Sequence, residues 1–160
     1  MSIRQKPRLL HIGSVSHDTT RNEDLIPTFL DVCEGLRLSG SHLEDKRIIR
    51  DRYRAGMQAS EEQMQADVEI LIDVLNAHAP DYCYFGAHDT DPADFGTWPG
   101  SEVPFHGPAT DDIGKGAELP PANAEFPDHF LIVNDRGNCT LYRKRRQGRN
   151  HRWVECWSIV

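Results

Sequence analysis

The period of the apolar residues changes once along this chain, at Asp81, and that change limits the folds open to it. Up to Pro80 the large apolar side chains recur every three or four positions, the spacing of amphipathic helices. Beyond it they come in short aromatic runs divided by Gly, Pro, Asn and Asp, the texture of strands and turns. Helices followed by strands imply an α+β fold. The expectation is about three helices in the N-terminal half, packed on one face of a four- to five-stranded, mostly antiparallel sheet in the C-terminal half. A chain of 160 residues fits a single domain, 1–160. It can bury about two-thirds of its unfolded surface, so it needs neither disulfide nor metal for stability.

Three capping boxes punctuate the helical half: Thr20–Glu23, Ser41–Glu44 and Ser60–Gln63. The first helix begins at Thr20, or at Asp24 if Pro27 is to fall in the first turn. It carries Leu25, Phe29, Val32 and Leu36 on one face and ends at Gly40. The second is highly charged, with Leu43, Ile49 and Tyr53 as its inner edge. The third shows the cleanest stripe, Met64, Val68, Leu71, Ile72 and Leu75, and stops at Pro80. In the second half, Tyr82–Phe85 and Phe95–Trp98 read as two arms of a hairpin around Asp89–Asp94. Phe130–Val133 and Cys139–Tyr142 flank a second turn, Asn134–Asn138. A basic loop and a last strand, Trp153–Val160, follow. Residues 99–127, with six prolines and four glycines, read as one long loop.

Four segments, taken in order, carry a resemblance. They are Thr20-Arg-Asn-Glu-Asp-Leu-Ile-Pro-Thr-Phe-Leu30, Tyr84-Phe-Gly-Ala-His88 with Asp94-Phe-Gly-Thr-Trp98, Phe130-Leu-Ile-Val-Asn-Asp-Arg-Gly-Asn-Cys-Thr-Leu-Tyr142, and Glu155-Cys-Trp-Ser-Ile-Val160. Together they resemble small uncharacterised proteins encoded by bacteriophages, prophages and plasmids. In that group the middle motif runs through a Gly-Asp-Gly turn, where this chain has Asp89-Thr-Asp-Pro-Ala-Asp94. The resemblance implies a setting in which proteins block host functions, including anti-phage defence.

Charge is distributed unevenly within a net of -7. Ten acidic residues and a single lysine lie between Asp81 and Asp128, whereas seven basic residues and one acid lie from Arg136 to the end. Such a split bears on partners rather than on fold. The chain opens without the apolar run of a secretory signal, and no stretch approaches the ~20 apolar residues of a membrane span. Cys33, Cys83, Cys139 and Cys156 form no CxxC pair and read as reduced, buried thiols. The expected location is therefore a cytoplasm, that of a bacterial host.

His88, Asp89, Asp91, Asp94 and His106 are the densest set of metal-capable side chains. Carboxylates along a loop can wrap a hard cation, although Asp and Pro are also ordinary turn formers. His88 could serve as a general base, but no nucleophile motif, P-loop or dinucleotide fingerprint accompanies it, and no cofactor is expected. Phe85, Phe95, Trp98 and Phe105 describe either a ligand wall or a sheet core. Asn134, Asp135 and Asn138 are turn residues within a shared motif. Arg143-Lys-Arg-Arg146 with Arg149, His151 and Arg152 can meet phosphates, and can equally protect a sheet edge.

The leading expectation is a non-catalytic binding protein that acts against a host system. In one form, His88, Asp94, Trp98, Asn134, Asp135, Asn138, Arg143 and Arg145 help to sequester a small phosphate-bearing ligand. In the other, the acidic 81–128 surface docks on a basic host protein as a nucleic-acid mimic would. A metal-dependent hydrolase using His88 with Asp89, Asp91 and Asp94 is one alternative. A nucleic-acid accessory protein using residues 143–152 is another, less favoured because of the overall negative charge. No membrane partner is expected, and homo-oligomers are left open.

Overall fold

The structure, a computed structural model, describes residues 9–56, 58–122 and 127–160. The α+β class is the one expected: among the described residues three helices lie in the N-terminal half, and seven strands form two mostly antiparallel sheets. The chain divides into two compact units, Met1–Trp98 and Pro99–Val160. None of the helices among the described residues is long and apolar enough to cross a membrane.

The first unit contains β1 (Gly13–Ser16), α1 (Asn22–Gly35), α2 (Gly40–Arg54), α3 (Glu61–Asn76), β2 (Cys83–His88) and β3 (Asp91–Pro99). Helix α3 forms as its sequence dictates. The Ser60 hydroxyl accepts the Gln63 N–H at 3.1 Å, and Glu61 and Glu62 lie in the first turn, where the helix dipole favours acids. Val68, Leu71 and Leu75 are buried, and Met64 and Ile72 pack against that core.

Helix α1 starts one residue later than the capping box at Thr20 implies. Its N-cap is Arg21, and the useful hydroxyl is that of Thr19, which accepts the Arg21 N–H at 3.2 Å and donates to Asp24 at 2.8 Å. Pro27 lies inside the helix, and its stripe of Leu25, Ile26, Phe29 and Cys33 is buried. The helix ends at Gly35 rather than at Gly40. Gly40, with φ of +58°, opens α2 instead, and the N-cap there is Ser39, with no side-chain cap.

Two polar links hold α2 in place. Lys46 is buried, with its Nζ 2.8 Å from Glu34 of α1. Asp67 of α3 is 1% exposed and accepts from Arg52, from the Tyr53 hydroxyl at 2.8 Å and from Gln63 at 3.1 Å. A buried carboxylate is tolerated only when its lone pairs are met in this way.

The sheet of this unit has the order β1-β3-β2. A two-residue connection joins β2 to β3, which requires an antiparallel pair. Strand β1 is antiparallel to β3, with Ser14 opposite Gly96 and a bulge before Ser16. Phe85 and Phe95 point toward the helices, where the Phe29 ring meets them at 5.2 and 5.6 Å between centroids.

The second unit contains β4 (Ile113–Gly116), β5 (His129–Val133), β6 (Cys139–Gln147) and β7 (Asn150–Ile159), in the order β4-β5-β6-β7. The β5–β6 and β6–β7 pairs are antiparallel, and β4 runs parallel to β5. The 99–127 segment is thus not loop throughout, since β4 lies inside it (residues 123–126 fall outside the described residues). Lys115 binds the carbonyls of Phe105 and Gly107 at 2.9 and 2.8 Å, and Trp153 Nε1–H donates to Pro120 at 2.7 Å. These contacts pin the segment beside its own sheet.

Candidate functional site

The Phe-Gly-Ala-His and Asp-Phe-Gly-Thr-Trp motifs meet on β2 and β3, and strand alternation sorts their residues. Phe85 and Phe95 go inward, while Gly86, His88, Asp94, Gly96 and Trp98 share the opposite face. Trp98 lies across that face, its Nε1–H donating to the Gly86 carbonyl at 3.1 Å. Gly96 makes the arrangement possible. A Cβ there would come within 2.8 Å of the indole and would strike the backbone of Gly13 and Ser14. The His88 ring meets Trp98 edge-on at 4.6 Å, and its Nδ1 accepts the Thr90 N–H at 3.3 Å.

Asp94 turns away from His88 toward β1. Its Oδ1 accepts the Ser14 hydroxyl and lies 3.2 Å from His17 Nδ1, which is itself 3.2 Å from Ser14 Oγ. Serine, histidine and aspartate are the residue types of a hydrolytic triad, but the geometry differs. A relay places histidine between the other two and uses both ring nitrogens. Here one nitrogen faces both partners and serine bonds aspartate directly, so the cluster clasps β1 to β3.

The remaining acids of the turn serve it locally. Asp89 accepts the Tyr84 hydroxyl at 3.0 Å, and that bond, after burial, is the second cause that raises the Tyr84 phenol above its ordinary range. Asp91 accepts the Ala93 N–H at 3.0 Å. Asp89, Asp91 and Asp94 are not brought together as a ligand set among the described residues. His106 is exposed in the second unit.

The second hairpin turn is built by Asn134. Its Oδ1 accepts the N–H groups of Arg136 and Asn138, each at 2.9 Å, and Gly137 takes φ of +84°. Asp135 is exposed at the tip and Asn138 is half-buried.

The basic segment is not a loop. Arg143–Arg146 belong to β6, and His151 and Arg152 to β7, joined by a tight turn at Gly148 with φ of +64°. The register of β5 with β6 ends at His129 opposite Arg143, and Asp128, just before β5, still accepts the Lys144 N–H at 2.7 Å. Beyond that point, four cross-strand pairs form a two-stranded arm: Lys144–Trp153, Arg145–Arg152, Arg146–His151 and Gln147–Asn150. Residues 143–152 hold six cations and no acid. Lys144 Nζ sits 5.6 Å from the Trp153 ring centre, a cation–π contact. No hydrogen bond or ion pair among the described residues engages the side chains of Arg145, Arg149 or Arg152.

A groove among the helices has no counterpart in the sequence reading. Ile26, Pro27 and Leu30 of α1, Tyr53 of α2, and Ala59 and Met64, together with the polar Glu23 and Gln58, line about 480 Å³, a size common for small-ligand sites. Its only signal lies in Pro27 and Leu30, apolar residues off the core stripe. No protein-family model, curated protein or solved structure matches this chain.

Proposed function

We propose that this chain is a non-catalytic binding protein that holds phosphate-bearing ligands on the β6–β7 arm. The observation that carries this reading is Arg145 directly opposite Arg152, with Arg146 opposite His151 and no acid among residues 143–152. Like charges facing each other across a ladder destabilise it. A bound polyanion would convert that repulsion into attraction. Edge protection needs only an isolated lysine or a bulge, whereas here both strands carry cations beyond the end of their sheet. In the bacteriophage or plasmid setting that the motif resemblance implies, such a protein would withhold its ligand from a host defence system.

The test is a binding titration of the whole chain with ATP and with a mixed-sequence oligonucleotide, at rising salt. Binding of either that weakens with salt, and weakens further in Arg145→Ala/Arg152→Ala, supports the reading. Absence of binding to both, or binding indifferent to the double substitution, contradicts it.

A further inference from the structure

Resting on that reading of the arm, we infer that its ligand is duplex DNA, entered from the major groove. Direct cross-strand partners share a face, so the arm has two different sides. One side carries Lys144, Arg146, His151 and Trp153, and Trp153 is engaged by Pro120 and by the Phe130 ring at 6.0 Å. The other carries Arg145, Gln147, Asn150 and Arg152, all exposed. Two arginines and two carboxamides on one exposed face form a set suited to base edges. Arginine pairs with guanine O6 and N7, and Asn or Gln pairs with adenine N6 and N7. A site for phosphate alone would need only cations.

The dimensions agree. Two strands lie about 4.8 Å apart, and a B-DNA major groove about 12 Å wide admits a two-stranded ribbon. Three cross-strand pairs extend the arm about 10 Å past the anchored Lys144–Trp153 pair before its turn, comparable to the groove depth of about 8.5 Å. The major groove of duplex RNA is too deep and narrow for such an element. Stacking platforms for single strands are built on aromatic rings, and the open side of the arm has none.

The experiment compares a two-turn DNA duplex, its RNA counterpart, the single strand and ATP as probes of the whole chain, with dimethyl sulfate footprinting of guanine N7. The duplex DNA should bind at least about tenfold more tightly than the other probes, with guanine N7 protected. Gln147→Ala/Asn150→Ala should lower discrimination between sequences about tenfold while leaving the salt slope unchanged. Single strand or ATP bound as tightly as the duplex, or N7 fully reactive in the complex, overturns the duplex inference and leaves phosphate binding intact. Failure of every probe to bind overturns both.

Discussion

Trp98 donates its indole N–H to the carbonyl of Gly86 and lies over Gly96, so glycine and tryptophan serve one contact. In this chain the two glycines seat a tryptophan on a three-stranded sheet.

Gly96→Ala should therefore destabilise the fold by about 2 kcal/mol or more, because the new methyl meets backbone as well as the ring. Gly86→Ala should be close to neutral, since a Cβ there meets only Tyr84 at an ordinary 3.6 Å. Urea unfolding of the two variants separates them, and equal losses would contradict this geometry.

Asp67 should be among the most sensitive polar positions. Asp67→Ala leaves Arg52 and Tyr53 without their carboxylate and should cost about 3–5 kcal/mol, as for other broken buried pairs. Tyr53→Phe removes one neutral donor and should cost about 1 kcal/mol. Comparable losses in the two variants would argue against a buried charge network.

Burial, followed by the bond to Asp67, raises the Tyr53 phenol to about 12. A group whose folded value is raised stabilises fully below its unfolded value, here near 10, and loses that contribution as pH climbs through the folded value. Stability should accordingly fall between about pH 10 and 12, and Tyr53→Phe should flatten part of the fall. The buried Cys33 thiol, also raised to about 12, contributes to the same loss from about pH 9 upward. Chemical unfolding across this range, with tyrosinate absorbance followed in parallel, checks the sign.

Asn134→Ala should cost about 1–2 kcal/mol by freeing two backbone N–H groups, while Asp135→Ala at the exposed tip should cost almost nothing. The reverse order would mean that the turn is held by something other than the Asn134 carboxamide.

Helix α3 was legible from the sequence because a cap and a one-sided stripe coincide there. The core roles of Phe85 and Phe95 were legible as one of two readings. Strands β1 and β4, of four residues each, were not, because so short a run cannot display alternation and each forms only by pairing with distant chain. Their addition brings the strands among the described residues to seven, where four or five were expected. The arm was read as loop for a different reason: exposed on both faces toward its tip, it has no apolar period to mark it as strand. Asp67 was invisible as well, since an acid on a helix reads as surface until its partners are in place.

The arm is tested most directly by titrating the whole chain with a fluorescent mixed-sequence DNA over a series of salt concentrations. Log affinity should fall linearly with log salt. In Arg145→Ala/Arg152→Ala the affinity should drop by about tenfold or more. A folded double variant with unchanged affinity would contradict the assignment of the arm.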